Sequence, residues 1–185
     1  MVRFELETKR LYLRPIAGRD AEATAQLMTP DVAANLTTWP PSMTAEMALD
    51  RIRSAEESLS RTRAVEFAIM DRPARHLLGW ISIGTVPGDQ EGRARIGFWL
   101  GTAYQGQGLM FEAAEAAIPL AASFLSIQTL EACVYPWNSR GIALIRKLGF
   151  DPTGSTQLFS PVRDRLEEAL LFERSLQRPR IKLAI

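Results

Sequence analysis

The chain has 185 residues, with 22 Lys and Arg against 21 Asp and Glu. That is enough length for one domain with its own core, and the formal charge of +1 provides no field of the kind that draws a nucleic acid. One cysteine and one histidine, Cys133 and His76, exclude an intramolecular disulfide and the usual transition-metal ligand sets, and no run approaches the ~20 apolar residues of a membrane span.

These limits, with a charged rather than apolar start (MVRFELETKR), lead to the expectation of a single domain over residues 1–185 in the reducing cytoplasm, with no metal, membrane or nucleic-acid partner. Residues 4–16, FELETKRLYLRPI, alternate well enough to predict a strand ending at Pro15, with Leu11 and Leu13 turned inward. A helix follows, with Asp20 as its N-cap, and then a loop around the adjacent prolines of NLTTWPPSMT. From Thr44, a second N-cap, Leu49, Ile52, Ala55 and Leu59 mark one face of an amphipathic helix.

Three strands come next, AVEFAIM, LLGWISIGTV and ARIGFWL, joined by short polar turns as an antiparallel meander; His76 falls in the first turn and reads as a solvated residue. GTAYQGQGLM leads into FEAAEAAIPLAASFL, where Leu109, Ala113, Ala117, Leu120 and Phe124 share a helical face, with Pro119 expected to kink the helix or end it early. TLEACVYP is a strand, NSRGIALIRKLGF a helix closed by Gly149, and RLEEALLFERSL is ambiguous between helix and strand. The order predicts an α/β (α+β) domain, a mixed sheet with helices on both faces.

Chemistry concentrates at YQGQGLM, which joins an apolar strand to a helix and carries Gly106 and Gly108. Such a turn leaves backbone N–H groups free at a helix N-terminus, where an anion is favoured. The dinucleotide fingerprint fails at Phe111, and the Lys-Ser/Thr ending of a P-loop is missing. Gln105, Gly106, Gln107, Gly108 and Leu109 instead resemble the acetyl-CoA-binding motif of the GNAT acetyltransferases, with Met110 in place of the final small residue. YPWNSRGIALIRKLGF and TKRLYLRPI are similar to further segments of that superfamily, within its ribosomal-protein-alanine N-acetyltransferase (RimJ/RimL-like) branch.

The resemblance implies a mostly antiparallel sheet whose two central strands, ARIGFWL and LEACVYP, are splayed apart by a bulge. The pantetheine arm of acetyl-CoA would then pair with backbone of Phe98, Trp99 and Leu100, and its diphosphate would rest on N–H groups from Gln105 to Met110. It also brings Asn138, Ala143 and Arg146 to the cofactor, although Asn138 has an alternative as a plain helix N-cap. Trp39 reads either as a wall of the acceptor pocket or as packing for its own loop.

The implied activity is transfer of acetyl from acetyl-CoA to a primary amine, with monomer and homodimer both open; the alternative is an acyl-CoA-binding module of the same fold with weak or lost catalysis. Many relatives carry a base where this chain has Arg95, which leaves Glu66 as the candidate base and Glu112 as a structural helix-start residue. For the departing thiolate, Ser139 and Tyr135 are the nearby hydroxyls, with Ile145 and Gly141 where relatives have a tyrosine or a serine. An α-amine of pKa ~8 is roughly a tenth neutral at pH 7, against less than one part in a thousand for a lysine at ~10.4. An N-terminal α-amine or a small amine of low pKa is therefore the expected acceptor.

Overall fold

The computed structural model describes residues 4–86, 88 and 92–176. The opening segment forms two short strands, β1 (Leu6–Glu7) and β2 (Leu11–Pro15), rather than one, because the chain turns at Thr8, whose N–H donates to the Leu11 carbonyl. Helices α1 (Ala21–Leu27), α2 (Pro30–Ala33) and α3 (Ala45–Ser60) follow. The meander is β3 (Ala64–Asp71), β4 (Leu77–Thr85) and β5 (Arg93–Leu100), and then come α4 (Leu109–Leu125), β6 (Thr129–Val134), α5 (Ser139–Lys147), β7 (Asp151–Ser160) and β8 (Arg165–Ser175). No helix among the described residues is long and apolar enough to cross a membrane.

The strands form one sheet in the order β1-β2-β3-β4-β5-β6-β8-β7, and β5–β6 is its single parallel pair among the described residues. Successive side chains of a strand point to opposite faces. On one face Val65, Phe67, Ile81 and Ile83 pack under the alanine stripe Ala113, Ala117 and Ala121 of α4. On the other, Ala68, Met70, Trp80 and Trp99 pack under Ala48, Ile52 and Ala55 of α3. Each large side chain taken fully out of water contributes about 1.5–3 kcal/mol.

Four local expectations change. Asp20 does not cap α1; it accepts both Nη atoms of the buried Arg14 at 2.7 Å and the Ala17 N–H at 2.9 Å, a closed ion pair whose rupture costs about 3–5 kcal/mol. Pro119 does not end α4, which runs on to Leu125 because Ala121 and Leu125 still have core to bury. The ambiguous RLEEALLFERSL is strand β8, its Ala169 and Phe172 fully enclosed between β6 and β7. The unanticipated α2 is a single turn capped by Thr29, whose hydroxyl accepts the Val32 N–H.

Candidate active site

The sheet opens at its parallel pair. β5 and β6 are in register only from Arg93↔Thr129 to Arg95↔Glu131, and from Ile96 onward β5 has no neighbour on that side. The implied bulge is not what separates them: β5 stays in unbroken register with β4 from Ala94 to Leu100.

That register also fixes which backbone groups are spare. Val86 N–H donates to the Arg93 carbonyl and Gly101 N–H to the Leu78 carbonyl, so the odd-numbered residues 93 to 101 are in phase with β4. Phe98 and Leu100 therefore turn their backbone groups into the splay, whereas Trp99 belongs to the β4 ladder. The Leu100 carbonyl is held by Gln105 Nε2 at 2.9 Å.

A cavity of about 590 Å³ fills the opening between α4 and α5. Phe98, Trp99 and Leu100 form one wall, and Gln105, Gly106, Gly108, Leu109 and Met110 form the end at the start of α4. Gly106 and Gly108 have φ of 75° and 74°, the left-handed region that a side chain disfavours and that recurs in turns whose successive amides gather around an anion. Gly108 is also the N-cap of α4 and offers no side chain to its first N–H groups. A long helix with an uncapped N-terminus facing a cavity fits a diphosphate.

The third wall is α5, from which Ser139 and Ala143 line the cavity. Arg146 lies outside it, exposed, while Arg140 and Lys147 line it, with Lys147 Nζ 4.2 Å from the Phe111 ring centre. Helical spacing from Ala143 carried that signal, since 140 and 147 share its face. Gln107 is also outside the lining: its side chain donates to the Ala103 carbonyl, and its own carbonyl accepts Arg10 Nη1 at 2.9 Å.

Glu112, in the first turn of α4, is structural. It accepts the Thr8 hydroxyl, the Arg10 N–H at 2.9 Å and Arg10 Nε at 2.7 Å, which ties the β1–β2 turn to the glycine loop. Burial works to raise its pKa, but these hydrogen bonds and the Arg10 charge outweigh it and hold the carboxyl below its ordinary value.

A second cavity, of about 350 Å³, lies under α3 and the Thr37–Trp39 loop and meets the first at Phe98, Trp99 and Asn138. Glu66 lines it. In register across the sheet stand Glu66, Ser82 and Gly97, and a Cβ at Gly97 would meet nothing within 4 Å, so open space extends from the carboxyl to the splay. Burial raises the Glu66 pKa, an effect partly offset by the Arg51 charge and the Ser82 hydroxyl.

Trp39 does both things considered for it. It is 7% exposed, edge-on to Trp80 and Trp99 with ring centres at 5.1 and 5.3 Å, and it still lines the second cavity. Asn138 likewise caps α5, its Oδ1 accepting the Gly141 N–H at 2.9 Å, while it stands where the cavities join. Tyr135 is fully buried with its hydroxyl unpartnered and lines neither cavity, whereas Ser139 is exposed on the first. Arg95 pairs with Glu131 at 3.2 Å, and His76 sits in the β3–β4 turn, away from both cavities.

Arg51 of α3 is in the second cavity and was not singled out from the sequence, where it is one of several charges on a polar helix face. A carboxyl in one cavity, spare backbone in the next and an uncapped helix N-terminus beyond are what acyl transfer from a phosphate-bearing carrier would need.

A family model described as an acetyltransferase (GNAT) domain matches residues 10–151, and the chain belongs to that family. It is accordingly an N-acetyltransferase, in which acetyl-CoA supplies the activated acetyl group and an amine receives it. An uncharacterized N-acetyltransferase p20 of Bacillus licheniformis is 27% identical over 168 residues, 90% of this chain and 93% of that one. The [ribosomal protein uS5]-alanine N-acetyltransferase of Escherichia coli (strain K12) is 27% identical over 154 residues, 80% and 79% of the two chains. Among solved structures, RimL, a ribosomal L7/L12 alpha-N-protein acetyltransferase in complex with coenzyme A, superposes with a TM-score of 0.79 at 20% identity over 91% of this chain and 96% of that one.

Proposed function

We propose that the acceptor is an α-amine, at the N-terminus of a peptide or protein or in a small molecule, in the cytoplasm, with Glu66 as the base that takes its proton. The observation that carries this reading is the row Glu66, Ser82, Gly97, which leads from a half-buried carboxyl through open space to the junction of the two cavities. A carboxyl whose pKa is raised toward neutrality is a better proton acceptor at working pH than an ordinary one. The names of relatives that act on ribosomal protein alanine and on L7/L12 α-amines point the same way.

The remaining roles follow from which groups are spare. The Leu100 N–H faces the splay and is placed to polarise the acetyl carbonyl. The amides of the Gln105–Met110 turn, with Arg140 and Lys147, hold the diphosphate end of the donor. Ser139, on the cavity wall, is the hydroxyl able to protonate the departing thiolate, since the Tyr135 hydroxyl is enclosed.

The test is a thiol-release assay with acetyl-CoA and matched panels of N-terminal peptides, lysine ε-amine peptides and small amines at pH 7. The α-amines have a roughly two-hundredfold larger neutral fraction at that pH and are expected to react faster. Faster reaction of lysine ε-amines would overturn the assignment.

A further inference from the structure

The acceptor cavity holds two opposite charges that do not neutralise each other by contact. Glu66 is the single carboxylate of its lining among the described residues, and Arg51 faces the same space from α3. Arg51 makes no salt bridge among the described residues. Its Nη1 and Nη2 donate to the Thr38 carbonyl and hydroxyl at 3.2 and 3.1 Å, and its guanidinium carbon lies over Trp39, 4.1 Å from the ring centre. Burial lowers its pKa, and the attraction of Glu66 recovers only part of that.

The other cation of the lining, Arg95, is already held by Glu131. An acceptor that enters as an ammonium satisfies Glu66 and leaves Arg51 without a counter-charge. A guanidinium braced by two hydrogen bonds and an aromatic face has its remaining donors pre-set for a planar anion.

We propose that Arg51 recognises a carboxylate carried by the acceptor close to its amine, so that the preferred substrate is an amine–carboxylate compound gripped at both charges. The carboxylate has two possible sources, the α-carboxyl of a free amino acid or an acidic side chain at a peptide N-terminus. This inference rests on Glu66 receiving the amine, as above, but not on which source supplies it.

The experiment measures kcat/KM, expressed per concentration of neutral amine because a neighbouring carboxylate raises the amine pKa, for matched pairs that differ in the anion. Alanine is compared with alaninamide, and an Asp-Ala-Ala amide with an Asn-Ala-Ala amide, in the parent enzyme and in Arg51→Gln and Arg51→Lys. The parent is expected to favour the acidic member of one pair by about tenfold or more, mostly through KM, as a charge-assisted hydrogen bond in a partly desolvated site predicts. The pair that responds identifies the source. In Arg51→Gln the within-pair ratio falls toward one, and in Arg51→Lys it is partly restored.

Melting curves and coenzyme A titration establish that the variants fold and load. Quenching of tryptophan fluorescence by the same pairs on the CoA-loaded protein reports binding independently of turnover, since Trp39 lies directly under Arg51. Equal use of both members by the parent, or equal losses for both in Arg51→Gln, would show that Arg51 only braces the Thr38–Trp39 loop. Failure of the α-amine reading appears elsewhere, as a preference for ε-amines across the wider panel.

Discussion

Replacing Glu66 by Gln keeps the shape of the side chain and removes its proton affinity, and the structure sets limits on the loss. A positioned base is worth about 10²–10⁴-fold. An α-amine is already roughly a tenth neutral at pH 7, so the lower end applies: about a hundredfold in kcat/KM, or about 2.7 kcal/mol of barrier. Raising the pH to 9 makes most of the amine neutral and can return at most about tenfold, so a deficit of about tenfold persists.

Stability moves the other way. The folded-state pKa of Glu66 is raised, so its contribution is fully present below the unfolded value and is lost as pH rises from about 4.3 through the folded value. Glu66→Gln removes that loss and should melt no lower than the parent at pH 7. Thiol-release rates from pH 5.5 to 9, with melting curves alongside, test both halves. Activity within threefold of the parent across that range would remove Glu66 from the mechanism, and a lowered melting temperature would make its role structural.

At the glycine turn, Gly108→Ala forces a side chain into φ 74°, which should cost about 1–2 kcal/mol and weaken coenzyme A binding in calorimetry, while Gly97→Leu should leave that binding intact and raise the acceptor KM by filling the open space beside Glu66. Gly141→Ser places a Cβ 2.7 Å from Asn138 Nδ2 and must displace the cap of α5; loss of about 1 kcal/mol in urea unfolding, together with a change in kcat, is the expected signature. The depressed pKa of Glu112 supplies stability above its unfolded value that disappears as pH falls through the folded value. Glu112→Gln should therefore unfold more easily than the parent at pH 7, with the gap closing in acid.

Strands β3 to β5 and helix α5 were legible because each carries its own local signal: alternation, a polar turn, or Gly149 in a left-handed cap with φ 80°. The strand β8 was not, because Ala169 and Phe172, three apart, would share a face of a helix but lie on opposite faces of a strand, and pairing with β6 and β7 decides between the two. The glycine turn proposed to hold the donor's diphosphate could be read from Gln105 to Met110, since backbone that bends this way favours glycine. The cavity proposed for the acceptor could not. Arg51, Ser82 and Gly97 meet there only through strand register and the seating of α3, and no spacing along the chain encodes either. Arg146 illustrates the limit of motif transfer, because a single step around α5 exchanges it for Lys147.

The two cavities meet along a shared lining of Asn35, Leu36, Phe98, Trp99, Asn138 and Gly141. With the donor in one and the acceptor in the other, as proposed, both would be resident together, and the acyl group need not be parked on the protein in between. Cys133, the thiol on the acceptor side, is suited to no such relay, because burial raises its pKa and keeps it protonated. Turnover through a ternary complex is the expected outcome of that arrangement, with initial-rate lines that intersect rather than run parallel.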